Sequence, residues 1–488
     1  MLQLDRKDLI VTHAWIANER VLSSDARNFG VENPADGSLI AEVADCSAAE
    51  ARAATEAACR AFASWRKLLA GERAAHLQAW LALVRKYQED LARLISLEQG
   101  KPLAESRGEV AYSASYIEWF AEEAKRTYGD VIPETAPGRK IIVTKEPVGV
   151  AAAITPWNFP IAMLARKIAP ALAAGCTIVA KPAEDTPLSA LALAMLASEA
   201  GIPAGVINVV PASRSRAASV ANVWLKDERV RKLSFTGSTA VGKHLAEASA
   251  RTLKRLSLEL GGNAPFIVFE DADLDQAVKG MIAAKFRNAG QTCICANRIY
   301  VADAIHDDFA ERAVHAVSKL RVGAAGDGEA EIGPLINARA LEKVERHVAN
   351  AIDRGARLLI GGKRHALGRY FYEPTVLVDV DATMSLSCEE TFGPVAPLFR
   401  FSTEEKAITA ANSTPFGLAA YFYSRDIARV MRVAAALESG MIGINEAAIS
   451  TEVAPFGGVK DSGYGREGSS YGIDEYLQTK YLCLGGLS

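Results

Sequence analysis

The segment Thr177-Ile-Val-Ala-Lys-Pro-Ala-Glu-Asp-Thr-Pro187 is the clearest guide to the fold. A short apolar run, a polar turn and a proline where a helix would begin together indicate a buried strand that leads into a helix. The same alternation fills residues 148–262, with further strands predicted at 206–210, 232–235 and 255–260. Because these strands are apolar, the pattern predicts a parallel, doubly wound α/β sheet.

Two further regions flank this part of the chain. Residues 47–126 are helical in composition and spacing, and Ser47 with Glu50 predicts a capping box at their start. After the sheet, strands and helices alternate again, which predicts a second α/β domain. A lone alternating strand is predicted at 140–146, and we expect the tail at 476–484 to pair with it outside the main sheets.

The composition limits the kinds of partner. The 488 residues carry a net charge of −3 and no basic block, so nucleic acid is not expected. Apolar runs fall short of the roughly 18 residues of a membrane span, and residues 5–8 are charged where a signal peptide would be apolar. Seven cysteines without framework spacing fit a reducing compartment. We therefore expect a cytoplasmic protein of two or three domains.

Polar residues follow the predicted strands of the first domain at the points where those strands end. In an open parallel sheet these ends share one edge, and ligands bind beside it. Strand ends also carry ordinary caps and turns, so a structural role for these residues is the alternative. The residues concerned are Asn158, Lys181 with Glu184, Gly237 with Ser238, and Glu259.

Three glycine motifs each lack part of their usual context. The segment 237–243 is nearly a phosphate-binding P-loop, but His244 stands where Mg²⁺ binding needs Ser or Thr. A P-loop NTPase is therefore disfavoured. The G-x-G-x-x-G motif at 463–468 follows no strand and is interpreted as a plain loop. The G-x-S-x-G motif at 468–472 has no preceding apolar strand and no histidine after it.

Cysteine is the remaining candidate for chemistry. Cys293 lies in the polar turn Asn288-Ala-Gly-Gln-Thr-Cys-Ile-Cys295, between a predicted helix and a predicted strand. A reachable thiolate and a partly buried loop cysteine both fit this position. The seven histidines have no partners at ligand spacing, so no metal is expected.

Six motifs in order resemble the aldehyde dehydrogenase superfamily, and finer segments around residues 285–295 and 449–460 resemble its succinate-semialdehyde dehydrogenase branch. The glutarate-semialdehyde dehydrogenases are similar enough to stay an alternative. The six motifs are Ile154-Thr-Pro-Trp-Asn-Phe-Pro160, Lys181-Pro-Ala-Glu184, Phe235-Thr-Gly-Ser238, Leu258-Glu-Leu-Gly-Gly262, Gly290-Gln-Thr-Cys293 and Glu390-Thr-Phe-Gly-Pro394.

The resemblance implies NAD(P)-dependent oxidation of succinate semialdehyde to succinate. Cys293 would attack the aldehyde carbon to give a thiohemiacetal, and the amide of Asn158 would hold the oxyanion. Transfer of hydride to the nicotinamide leaves a thioester. Glu259 would activate the water that hydrolyses it.

The resemblance also implies the cofactor contacts. Glu184 is the residue that bears on cofactor choice, because a carboxylate binds ribose hydroxyls and repels a 2′-phosphate. Some members of this branch that use NADP carry serine there, so we expect NAD in preference to NADP. The implied cofactor residues are Thr155, Pro156, Trp157, Lys181, Ala183, Glu184, Gly237, Ser238, Leu260, Glu390 and Phe392.

For the substrate, the resemblance implies Arg166, Arg287 and Ser450 as ligands of a distal carboxylate, which arginine binds bidentately. Surface or interdomain ion pairs are the alternative for either arginine. Cys295 would form a redox switch with Cys293, which requires the loop to rearrange.

The implied architecture is an aldehyde dehydrogenase-like fold, with two doubly wound parallel-sheet domains and a small β element. Residues 1–128 and 150–262 would bind NAD, and residues 263–470 would be catalytic. Residues 129–149 and 471–488 would join subunits into a homotetramer or homodimer. A non-catalytic dinucleotide-binding protein is the remote alternative.

Overall fold

The computed structural model describes residues 2–486. Residue 1 of the predicted segment 1–128 and residues 487 and 488 of the predicted segment 471–488 lie outside the described residues. Fifteen α-helices are described within that range. They are α1 Ala48–Trp65, α2 Ala70–Lys86, α3 Gln88–Gln99, α4 Leu103–Glu123, α5 Pro160–Ala174, α6 Pro187–Glu199, α7 Ala217–Lys226, α8 Thr239–Ser249, α9 Leu274–Phe286, α10 His306–Val317, α11 Ala338–Asp353, α12 Ser385–Cys388, α13 Glu404–Asn412, α14 Ile427–Ala436 and α15 Ser469–Asp474.

The strands form three larger sheets and two small two-stranded ones. In chain order they are β1 Ala14–Ile16, β2 Glu19–Val21, β3 Asn28–Glu32, β4 Leu39–Ala44, β5 Asp130–Ile132, β6 Lys140–Pro147, β7 Val150–Ile154, β8 Thr177–Lys181, β9 Ile207–Val209, β10 Val230–Thr236, β11 Arg255–Glu259, β12 Ala264–Val268, β13 Ala296–Ala302, β14 Arg357–Ile360, β15 Thr375–Val378, β16 Val395–Phe401, β17 Phe416–Gly417, β18 Ala419–Tyr423, β19 Met441–Ile444, β20 Val459–Lys460, β21 Gly463–Tyr464 and β22 Leu477–Leu484.

The first sheet has the order β2-β1-β9-β8-β7-β10-β11-β21, and its five central strands are parallel. Alternate residues of β8 enter different cores. Ile178 and Ala180 pack with α2 to α6 on one face, whereas Val179 packs with α1 and α7 on the other. Helices therefore cover both faces, and the predicted doubly wound sheet is confirmed.

The second sheet has the order β14-β15-β16-β13-β12-β18-β19. All of its pairs are parallel except β14 with β15. It has a hydrophobic core of its own, which includes buried residues of α9, α10 and α11. The second α/β domain is thus confirmed.

The lone strand and the tail pair as expected. β22 pairs antiparallel with β6 from Leu477 opposite Pro147 to Leu484 opposite Lys140, and β5 completes a separate three-stranded sheet. The capping box at α1 is also present, since the Ser47 N–H donates to Glu50 Oε2 at 2.7 Å. The domain boundaries themselves stay a prediction.

Two sequence interpretations need correction. The first sheet is not wholly parallel, because the hairpin of β1 and β2 and the short β21 add antiparallel edges. The segment at 463–468 is therefore not a plain loop, since it begins as β21. A Cβ at Gly463 would lie 1.9 Å from the Leu258 carbonyl oxygen, so only glycine lets this backbone reach β11.

No helix among residues 2–486 combines the length and the apolar character that crossing a membrane would require.

Candidate active site

The carboxyl ends of β7, β10 and β11 border a cavity of about 350 Å³. Asn158, Gly237, Ser238 and Glu259 line it, as their positions after parallel strands predict. Cys293 joins them from the second domain. The expectation that the residues after these strands lie at one edge of the sheet is therefore correct, and their functional roles stay a prediction.

Cys293 is half-buried in a turn that follows α9. The turn is strained, since Asn288 and Ala289 adopt left-handed φ values of 52° and 54°. The two domains touch closely here, because a Cβ at Gly262 would lie 2.4 Å from the Cys293 carbonyl oxygen. Burial raises the pKa of the Cys293 thiol to about 12, and the Arg166 guanidinium is the strongest opposing influence.

Asn158 is buried, and its side chain meets the turn that carries Cys293. Its Nδ2 donates to the Gln291 carbonyl oxygen at 3.0 Å. Its Oδ1 has no hydrogen-bond partner within residues 2–486. The amide is therefore attached to the cysteine turn, and one of its two N–H groups remains for a ligand in the cavity.

Glu259 ends β11 and is only 2% exposed. Neither carboxyl oxygen finds a hydrogen-bond partner in the described part of the chain. Burial, together with the charge of nearby Glu467, raises its pKa well above that of an ordinary glutamate. A buried carboxyl without partners and with a raised pKa has the properties of a general base.

Glu467 is a buried acid that the sequence analysis missed. Its carboxylate pairs with Lys167 and, at 2.8 Å, with Arg166, and these cations lower its pKa. One signal was available, because α5 carries two adjacent cations in an otherwise apolar helix. Buried cations of this kind require a buried acid nearby.

Several of the predicted cofactor residues also line the cavity. Pro156, Gly237, Ser238 and Leu260 line it with Trp157 and Phe392, whose rings pack edge to face at 5.6 Å. Burial raises the pKa of Glu390 to about 7, and its Oε1 accepts a hydrogen bond from the Gly262 N–H.

Glu184 faces a second cavity of about 210 Å³, which shares Arg214 and Asn337 with the first. Asp185 lines it too, and burial next to Glu184 raises the pKa of Asp185 to about 6. Lys181 is buried, with its Nζ 3.7 Å from Glu184 Oε2. Arg214 and Asn337 were missed, because both come from loops without a motif.

Thr155 and Ala183 are buried beside these cavities without lining either of them. Thr155 is held by backbone, since its N–H donates to the Lys181 carbonyl oxygen at 3.1 Å. Their predicted contacts with the cofactor stay a prediction.

Arg287 and Ser450 line a third cavity, of about 570 Å³, whose wall includes Phe159. Arg287 is exposed, and its guanidinium lies over the Phe159 ring at 4.9 Å. Among residues 2–486 no carboxylate forms an ion pair with it. A free guanidinium beside a hydroxyl is suited to an anionic ligand.

Arg166 differs from Arg287, since it lines none of these three cavities. It is 2% exposed, stacks on the Phe456 ring at 3.9 Å and pairs with Glu467. In this arrangement its cationic group acts on Cys293 and Glu259 through charge. Its role as a substrate ligand stays a prediction.

Cys295 is fully buried and free. Its Sγ accepts from Lys285 Nζ at 3.3 Å and donates to the Lys285 carbonyl oxygen at 3.4 Å. The predicted redox switch with Cys293 is not tested by this arrangement. Cys388 and Cys483 are exposed free cysteines far from this turn in the sequence.

No group of three or more His, Cys, Asp or Glu residues between positions 2 and 486 is arranged to hold a metal ion.

The chain is similar to known proteins along nearly all of its length. The Aldehyde dehydrogenase family matches residues 21–482. The chain is 57% identical over 484 residues to the succinate-semialdehyde dehydrogenase, NADP(+), of Escherichia coli (strain K12), covering 99% of this chain and 100% of that one. It is 57% identical over 487 residues to a 3-sulfolactaldehyde dehydrogenase of Pseudomonas putida, with both chains covered completely.

A glutarate-semialdehyde dehydrogenase of Pseudomonas aeruginosa is 55% identical over 486 residues, again with both chains covered completely. Among solved structures, succinate-semialdehyde dehydrogenase from Burkholderia pseudomallei superposes with a TM-score of 0.98 at 56% identity, covering 99% of this chain and 100% of that one.

Proposed function

This chain belongs to the aldehyde dehydrogenase family, and we propose that it oxidises semialdehydes that carry a distal carboxylate. Succinate semialdehyde is the preferred substrate, and NAD is the preferred acceptor. The observation that carries the proposal is the meeting of Cys293, Asn158 and Glu259 in one cavity. A nucleophile, an oxyanion donor and a base in one cavity are the groups that aldehyde oxidation through a thioester needs.

The residues present fit a nicotinamide dinucleotide. Ser238 occupies the N-cap position of α8 without a side-chain capping hydrogen bond, and the N-terminal N–H groups of this helix favour a pyrophosphate. Glu390 and Glu184 are carboxylates suited to ribose hydroxyls, and the faces of Trp157 and Phe392 are suited to a nicotinamide ring. When bound, the dinucleotide accepts the hydride that leaves the substrate carbon.

The first half of the reaction forms the bond to sulfur. The Sγ of Cys293, once deprotonated, attacks the aldehyde carbon, and the charge moves to the former carbonyl oxygen. The free N–H of the Asn158 amide, with the Cys293 backbone N–H, then holds that oxygen. Since burial disfavours the thiolate, the Arg166 cation is needed to offset part of this cost.

The second half releases the acid. Once hydride has left the carbon, Cys293 carries a thioester, which water must hydrolyse. Glu259, without a hydrogen-bond partner, takes the proton of that water at a carboxyl oxygen. The nearby cations of Arg166 and Lys167 stabilise the charged carboxylates of Glu259 and Glu467.

A steady-state panel of aldehydes tests the substrate, with succinate semialdehyde, glutarate semialdehyde and 3-sulfolactaldehyde beside propanal. We expect the highest kcat/KM for succinate semialdehyde, with glutarate semialdehyde close behind, since one methylene is worth about 1–3 kcal/mol. A preference for propanal over every anionic aldehyde would contradict the proposal.

Replacing Arg287 by alanine should raise KM for succinate semialdehyde by about 10- to 100-fold, because a charge-assisted hydrogen bond is lost. KM for propanal, which has no carboxylate, should change little. Arg354→Ala is the matched control, since Arg354 is also an exposed arginine just after a helix, α11. Equal effects of Arg287→Ala on both aldehydes would defeat the assignment.

Replacing Glu184 by serine should raise the ratio of kcat/KM with NADP to that with NAD by about tenfold or more, because a charge that repels the 2′-phosphate is removed. Glu199→Gln, at the other end of α6, is the control and should leave the ratio unchanged. The E. coli relative carries NADP(+) in its name, so a wild-type preference for NADP is the result that would overturn our argument from Glu184.

We also propose that the chain assembles as a homodimer or homotetramer in the cytoplasm. β22 is an edge strand of its small sheet, and Tyr481, Leu482 and Leu484 on it are exposed. An exposed apolar edge of this kind is suited to a second copy of the chain. Sedimentation of the intact protein measures the oligomeric state, and a monomer would contradict the proposal.

A further inference from the structure

Lys101 is a fully buried cation that the proposed chemistry does not use. It lies just before α4, and its Nζ pairs with Glu109 Oε2 at 2.7 Å, with both side chains fully buried. It also lies 3.9 Å from the centre of the Phe159 ring. A buried ion pair is weak evidence for stability, so its geometry is the more informative property.

The second hydrogen-bond partner of Lys101 is Asn158, the residue that holds the oxyanion in the proposed function. Lys101 Nζ donates to the Asn158 carbonyl oxygen at 2.7 Å. Glu109 also accepts from the backbone N–H groups of Ile161 and Ala162, at 3.0 and 3.3 Å, where α5 begins. The ion pair thus holds the backbone at two points just after the Asn158 side chain, its own carbonyl group and the start of α5.

The cysteine turn is tied to the same helix. Glu105, one turn before Glu109 on α4, accepts from the Asn288 N–H at 2.9 Å. Asn288 Nδ2 donates in turn to the Asn158 carbonyl oxygen at 3.0 Å. One face of α4 therefore holds both the segment of Asn158 and the segment that leads to Cys293.

We propose that Lys101 and Glu109 are positioning residues, which act through Asn158 by fixing the direction of its side-chain amide toward the carbonyl oxygen of the aldehyde bound at Cys293. The backbone carbonyl of Asn158 receives both Lys101 and Asn288, so its peptide plane has little freedom. Without Lys101 the amide loses the alignment on which oxyanion stabilisation depends. The inference rests on the proposed function of Asn158.

A double-mutant cycle tests this. Asn158→Ala should lower the single-turnover rate of NADH formation by about 10²- to 10³-fold. Lys101→Met should lower it by about 10- to 100-fold in the wild-type background, with KM for NAD within about twofold. In the Asn158→Ala background, Lys101→Met should cost less than about threefold, because the group through which it acts is already gone.

Glu118→Gln is the control. Glu118 also lies on α4, but it forms a surface ion pair with Arg85 of α2, so the rate should not change. If Lys101→Met yields no folded protein, Glu109→Gln enters the same cycle, because it weakens the ion pair at nearly constant volume. Equal losses in both backgrounds, or an unchanged rate in wild type, would overturn the inference and leave the proposed function intact. A full rate for Asn158→Ala would instead overturn the proposed role of Asn158.

Discussion

Cys293→Ser is expected to lower kcat/KM for succinate semialdehyde by at least about 10⁴-fold, because removal of a covalent nucleophile costs rates of this order. A serine hydroxyl is a far weaker acid than a thiol, so the attacking anion is not formed at neutral pH. Steady-state NADH formation, with NAD binding measured in parallel by fluorescence, gives the result. Binding should be retained, since the change removes only the reacting atom.

Cys59→Ser is the matched control, because Cys59 is also a half-buried free cysteine but lies on α1, outside the cavity. Its activity should stay within about twofold of the parent, as expected for a conservative change outside the reacting site. If Cys293→Ser oxidises semialdehydes at the parent rate, the covalent mechanism is wrong.

Glu259→Gln is expected to lower kcat by about 10²- to 10⁴-fold, the range ascribed to general acid–base catalysis. Glu259 activates water only for hydrolysis of the thioester, and formation of the thioester does not need it. One NADH should therefore still form per active site in a rapid burst. Stopped-flow absorbance separates the burst from the slow steady state. Glu123→Gln serves as the control and should leave kcat unchanged. Glu123 is also a buried carboxylate, but it pairs with Arg126 at the end of α4.

The pH dependence has a definite sign. Burial raises the pKa of Glu259, so the carboxylate form is scarce in acid and increases as pH rises. The kcat of the parent should therefore rise with pH until this group is deprotonated and then level off. In Glu259→Gln the rise should vanish. An unchanged pH profile in the variant, or loss of the burst together with kcat, would assign Glu259 a different role.

The central sheet and its ligand edge were predictable for one reason. Apolar strands alternating with helices allow few topologies, and parallel strands bring their carboxyl ends to one edge. Asn158 and Glu259 could thus be placed together from position alone. Cys293 lies in the other domain, so its assignment needed the resemblance as well.

Contacts between distant segments were less accessible. The antiparallel β21 rests on the fit of Gly463 against Leu258, and no local pattern contains that information. Arg166 and Glu467 are 301 residues apart in the sequence, so the sequence left both a substrate ligand and an ion pair open for Arg166.

The strand–helix order could be predicted from periodicity, and the residues for chemistry at a thiol could be predicted from the motifs, because both are local properties of the sequence. The pairing of β6 with β22 joins distant segments, and the sequence showed only two isolated strand patterns for it. Three further points follow only from the folded chain. Arg287 forms no ion pair while Arg166 is paired with Glu467, Glu259 has no hydrogen-bond partner in the described chain, and Lys101 reaches Asn158. Burial and pairing are properties of segments brought together by folding, and they set the charge and direction of each group.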